Sequence, residues 1–152
     1  MQSLVKQLHF IEKTIVQLFD EVNEQTWKEP EAKRIRSVFE LCHHMTYLPK
    51  ADLMLANSAS HQEMDAFYQR NRLETICEMK QMFIYHMKQL YAHIECMPEC
   101  EKQRESTSYW GATYTQQEWI LEILMHLIHH RAQLYQLLIQ HREKPISICL
   151  FQ

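Results

Sequence analysis

One glycine, Gly111, and four prolines serve a chain of 152 residues. Sheet-rich folds turn at every corner, and their tight turns need positive φ, which glycine adopts at least cost. A sequence this poor in glycine cannot build a sandwich or barrel, so an all-α fold is expected. The same shortage removes the phosphate-cradling loops, because both G-x-G-x-x-G and G-x-x-x-x-G-K-[ST] need several glycines where backbone meets ligand. Charge narrows the field further: 16 Lys and Arg against 19 Asp and Glu leave a formal charge of −3. That balance holds no cationic excess to displace the counterions of a nucleic acid. No nucleic-acid partner is expected.

At 46% hydrophobic and 23% charged the composition fits a soluble globule, and the length fits a single domain, 1–152. No run approaches the ~18 uninterrupted apolar residues of a membrane span. Even Trp119 to Ile128 is broken by Glu122 and His126, so no membrane partner is expected. The five cysteines, Cys42, Cys77, Cys96, Cys100 and Cys149, are odd in number and follow no repeating framework. The opening MQSLVKQLHF also lacks the apolar core of a signal peptide, and together these imply reduced thiols and a cytoplasmic location.

Apolar residues mark out the helices. Leu4, Leu8, Ile11, Ile15, Leu18 and Val22 alternate in steps of four and three and predict a helix over 2–26, ended by Trp27-Lys-Glu-Pro30. Val38, Leu41, Met45 and Leu48, continuing to Leu55, predict a second over 32–58, bent near Pro49. A polar linker from Ser58 to Gln62 precedes Leu73, Ile76, Met79, Phe83, Met87, Leu90 and Ile94, the face of a third helix over 72–96. Thr115 and Glu118 have capping-box spacing and open a fourth over 116–141. Lys144-Pro145 stops it and leaves Ile146 to Phe151 as an extended strip over a helix. Four helices with one long connection before the last describe a four-helix bundle.

Ten histidines are the chemical signal. At 100° per residue His130 lies about 40° round the helix from His126, and Gln133 returns to within about 20° of it. Ile123 and Leu137 border this stripe, which therefore faces the bundle interior. An imidazole there costs roughly 1–3 kcal/mol if it has no partner. Two partners are open: hydrogen bonds to backbone or water, which make these core histidines, or a metal ion, for which an i, i+4 pair on one face is a known ligand spacing. The catalytic glutamate of H-E-x-x-H is absent, so a protease is not expected. His129 and Arg131 point elsewhere. On the second helix His44 lies at the edge of the Leu41, Met45, Leu48 face, whereas His43 is rotated about 100° towards solvent. His44 is the better third ligand, with Glu40 one turn earlier placed to orient a ligand or take an open coordination position. Cys96-x-x-x-Cys100 with His93 is an incomplete thiolate set. Tyr109-Trp110 beside Gly111 either shape a pocket mouth or cover the bundle end.

The run His126-Leu-Ile-His-His-Arg-Ala-Gln133, preceded by Tyr114-Thr-x-x-Glu-Trp119, resembles the DinB/YfiT-like superfamily of metal-dependent enzymes, whose fourth helix reads H-x-x-H-H-R-G/A-Q. Ser37-Val-Phe-Glu-Leu-Cys-His-His44 is similar to the segment of the second helix that carries one further ligand. The resemblance spans nearly the whole chain and implies a DinB-like four-helix bundle. It implies that His44, His126 and His130 hold one divalent ion, although the doubled His43-His44 leaves the second-helix ligand open by one residue. Ala132 stands where glycine is commoner. Three neutral imidazoles leave an open position, the arrangement of a catalytic site. Zn or Ni fits first, Fe or Mn next, and imidazoles alone do not select among them. The family includes low-molecular-weight-thiol S-transferases, which implies a small thiol activated for transfer to an electrophile, or else water activated for hydrolysis. Gln133 is expected to act behind the ligands or on a small-molecule substrate. The alternatives are a non-enzymatic metal-binding stress-response protein and a helical interaction module. Leu121, Leu124, Ile128, Tyr135 and Ile139 lie opposite His126 on the same helix, so a homodimer is expected unless the apolar tail covers them.

Overall fold

Ser37, Ser60 and Thr75 each accept a hydrogen bond from the backbone N–H of the glutamate three residues on, and Glu40, Glu63 and Glu78 reach back to the capping residue's own N–H. Each box satisfies two of the donors a helix start leaves free. Thr115 and Glu118 do the same, at 2.8 and 3.3 Å. These boxes open four of the helices in the computed structural model, which describes residues 2–23, 36–140 and 146–151.

The order is α1 (Gln2–Asp20), α2 (Val38–Ala56), α3 (His61–Arg70), α4 (Ile76–Cys96), α5 (Glu99–Lys102), β1 (Glu105–Thr107), β2 (Thr113–Thr115) and α6 (Gln116–Gln140). The long helices α1, α2, α4 and α6 form the expected bundle, in which α2 lies between α4 and α6 and α1 closes the ring between the same two. The core runs through all four, with Leu8, Ile15, Leu41, Met45, Met79, Phe83, Ile123 and Leu134 among its residues. A smaller apolar cluster of Ala51, Leu55, Met64 and Trp119 seats α3 against α2 and the start of α6. Among the described residues no helix is long and apolar enough to cross a membrane.

Several boundaries differ from those the apolar pattern predicts. The first helix ends at Asp20, not 26, and the second begins at Val38 because Ser37 caps it. The third begins at Ile76, where Thr75 caps it, not at 72. The Trp27 to Pro30 break and Lys144-Pro145 lie outside the described residues. The Ser58 to Gln62 linker is shorter than expected, since α3 starts at His61 under the Ser60 cap. The long connection also holds an antiparallel hairpin pairing Ser106 with Tyr114. Gly111, at φ +96°, serves its turn, the one place where the chain uses its glycine for a positive φ.

Pro49 does not end α2. Thr46, one turn earlier, is tied to α4: its hydroxyl donates to the Cys42 carbonyl at 2.8 Å and lies 3.3 Å from that of Met79, while its carbonyl accepts from His86 Nδ1–H at 2.8 Å. The tail residues 146–151 adopt no regular structure, and Ile146 is buried in the core with Ile148 packed beside it. Leu124, assigned from the pattern to an outward stripe, is instead buried at 7% exposure. Its neighbours Leu121, Met125 and Ile128 carry the exposed apolar face of α6.

Candidate metal centre

Because α2 and α6 are neighbours in the ring, a histidine at the edge of the α2 core face meets the inward stripe of α6. His44 Nε2 stands 3.0 Å from His130 Nε2, and His130 Nε2 stands 3.0 Å from His126 Nε2. The three form the one group of potential metal ligands among the described residues, with ligand atoms all within 4.8 Å of one another. Nitrogens sharing a tetrahedral zinc ion at bond lengths near 2.05 Å would be about 3.3 Å apart.

The opposite ring nitrogens decide what these contacts are. His126 Nδ1 lies 2.8 Å from Asp52 Oδ2, and a carboxylate only accepts, so the proton sits on Nδ1. His130 Nδ1–H donates to Gln133 Oε1 at 2.7 Å, and the Gln133 amide nitrogen donates to His129 Nε2 at 3.0 Å. In the neutral rings, His126 and His130 therefore both turn a bare Nε2 lone pair towards the same point. Two bare acceptors cannot hydrogen-bond each other, and a cation seated between them would satisfy both. Burial, then the charge of Arg36 and the other histidines, pushes His44 down to about 3. Burial pushes His130 down to about 4, against the opposing bond from Gln133. At neutral pH both rings are uncharged, as metal ligation requires. The donor set fits a divalent ion: three neutral imidazoles, with Asp52 and Gln133 fixing two of them from behind.

The other sequence candidates separate cleanly. His43 is outside the cluster, its ring 5.1 Å from that of Tyr47 and stacked on Phe39. Glu40, expected to orient a ligand or occupy a coordination position, is spent on the Ser37 cap. Its place in the first turn of α2 makes it a capping residue. His129 is exposed and bonded to Gln133. Arg131 is buried, donates to Thr14 Oγ1 at 3.0 Å and stacks over Phe10, so it joins α6 to α1. His93, Cys96 and Cys100 do not converge on a ligand group, and all five cysteines are free. Tyr109 and Trp110 stand half-exposed at the hairpin tip, their rings in edge-to-face contact. Asp52 was missed by the sequence reading. Its signal was a lone carboxylate in the apolar second half of α2, flanked by Ala51 and Leu53.

The bundle and its histidine cluster define a DinB-like protein with the geometry of a three-histidine metal site. A crystal structure assigned to the DinB family, from Exiguobacterium sibiricum 255-15, matches with a TM-score of 0.82 at 28% identity, covering 99% of this chain and 96% of that one. The DinB-like protein YjoA of Bacillus subtilis shares the fold, with a TM-score of 0.68 at 18% identity over 95% of this chain and 96% of its own. The first likeness supports a DinB-like superfamily assignment, and the second shows the same fold. No family model and no curated protein matches the sequence.

Proposed function

We propose that the chain is a metal-dependent enzyme acting on small molecules. His44, His126 and His130 hold one divalent ion, and the reaction transfers a low-molecular-weight thiol to an electrophile, with hydrolysis as the sibling chemistry. The observation that carries this is the pair of Nε2 atoms of His126 and His130 facing each other at 3.0 Å with their protons drawn to the far side by Asp52 and Gln133. Core histidines serving only structure would be expected to spend each Nε2 on a donor.

A divalent ion held there supplies Lewis acidity that brings a thiol or water into its reactive deprotonated form near neutral pH. The chain's own residues orient and tune. Asp52 fixes the His126 tautomer and strengthens it as a ligand, and Gln133 does the same for His130 without adding charge. The chain's thiols do not supply the nucleophile: Cys42 is buried with its thiol pushed up by desolvation, and no cysteine belongs to the cluster. A thiol substrate therefore comes from solution.

The test is elemental analysis of protein purified without a histidine tag, followed by conjugation of 1-chloro-2,4-dinitrobenzene with a panel of small thiols. About one ion per chain is expected. Alanine at His44, His126 or His130 should remove most of it, while His43→Ala and His129→Ala retain it. Equal metal content across all five variants would refute the site. A conjugation rate that survives verified metal removal would refute the mechanism.

A further inference from the structure

We propose that the end of α4 carries a second metal site, separate from the histidine cluster, in which His93 Nε2, Cys96 Sγ and Met97 Sδ bind one monovalent copper ion. It lies outside the reading above and stands or falls without it.

The first observation is a cavity of about 170 Å³ that His93, Cys96 and Met97 line together with Pro98, Glu101 and Arg104. Helical spacing explains why three donors share one wall. Cys96 and Met97 follow His93 by three and four residues, which sets them about 60° to one side of it and about 40° to the other. Met97 keeps that phase although α4 ends there: its φ of −71° is still helical, and only its ψ of 115° turns the chain away. The second observation is an orphaned atom. His93 Nε2 is buried and has no hydrogen-bond partner, and native structures rarely leave such an atom without a water or an ion. Water fits poorly. It needs roughly two to four polar partners, and the donors beside the ring are sulfurs, which are weak hydrogen-bonding groups. Glu101 and Arg104 are engaged with each other in an ion pair.

The donor set names the ion. With histidine, cysteine and carboxylate donors alone these residues make no group of three, and the Met97 thioether supplies the missing ligand. A thiolate, a thioether and an imidazole form a soft set that selects monovalent copper, whereas structural zinc takes four ligands drawn from thiolates, imidazoles and carboxylates. Charge agrees. On binding, the Cys96 thiol gives its proton to solvent and an S–Cu bond replaces S–H, so the thiolate and a monovalent ion cancel. A divalent ion would leave a positive charge beside the Arg104 guanidinium, whose carboxylate partner Glu101 is already taken. Cys96 is exposed, which gives the ion a way in.

The test is anaerobic titration of the zinc-loaded full chain with Cu(I) in competition with bicinchoninate, followed by X-ray absorption at the copper edge. One Cu(I) per chain is expected, with both nitrogen and sulfur bound to it. Cys96→Ser and His93→Gln should each weaken binding about tenfold or more, and Met97→Leu about threefold with one sulfur lost from the spectrum. Cys77→Ser, Cys100→Ser and Cys149→Ser should stay within about twofold of wild type. Equal affinity in Cys96→Ser and wild type overturns the site, as does a Cys100→Ser variant that loses as much as Cys96→Ser. A wild-type spectrum showing sulfur alone overturns it too. Zinc content in the same samples reports on the bundle-centre histidines only, and the ranking of the variants for copper decides this site whether or not zinc is taken up.

Discussion

Replacing Asp52 by alanine isolates the contribution of a residue that never touches the ion. The carboxylate is largely buried, with 14% of its side chain exposed, and receives the His126 Nδ1 proton at 2.8 Å. Hydrogen bonds to a charged partner contribute about 1.5–3 kcal/mol, which converts to roughly a 10- to 150-fold change in affinity. Losing a residue that backs a metal ligand commonly costs 10–100-fold, so the two estimates agree. Without Asp52 the His126 ring is free to exchange tautomers and turn, and each excursion puts a proton where the lone pair is needed. The metal Kd of Asp52→Ala, measured by competition with a chelator of known affinity, should therefore rise about 10–100-fold at a stoichiometry of one. Asp52→Asn, which keeps an acceptor but loses the charge, should fall between. A Kd for Asp52→Ala within twofold of wild type, with helicity retained by circular dichroism, would show that the carboxylate does not tune this site.

The metal-free protein should lose stability as pH falls from about 6.5 towards 4, because His44 and His130 are held below their ordinary value when folded and take up protons once unfolded. The acid-side decline in Tm should flatten in a His44→Gln, His130→Gln double variant, and an unchanged slope argues against these two as its source. Thr14→Val removes the acceptor of the buried Arg131 guanidinium and should cost about 1–3 kcal/mol in urea unfolding. Arg131→Met in the same assay should cost less, since an apolar replacement leaves no charge stranded; the reverse order refutes the argument. We also propose that Leu121, Met125 and Ile128 pair α6 with a second copy of the chain. Sedimentation should show a wild-type dimer and a monomeric Leu121→Glu, Ile128→Glu variant that still binds metal, and a wild type already monomeric at micromolar concentration excludes the pairing.

The all-α architecture and the α6 half of the site were legible in the sequence, because both follow from local rules. One glycine denies a sheet protein its turns, and the 100° step puts His126, His130 and Gln133 on one stripe whatever surrounds the helix. The starts of α2, α3 and α4 were written there too, in Ser37-x-x-Glu40, Ser60-x-x-Glu63 and Thr75-x-x-Glu78. Apolar periodicity passes over them because a cap is a polar signal at the boundary, not a repeat. Tertiary structure alone decided what each stripe meets. Glu40 and Asp52 are both carboxylates on α2, and nothing local says that one closes a cap while the other reaches across to His126 Nδ1. Leu124 and Leu121 are the same residue type three positions apart, and only the packing of α6 in the ring buries the first and exposes the second. Such contacts depend on the rotation of one helix against another, which the sum of many distant packing interactions fixes and no short window of sequence contains.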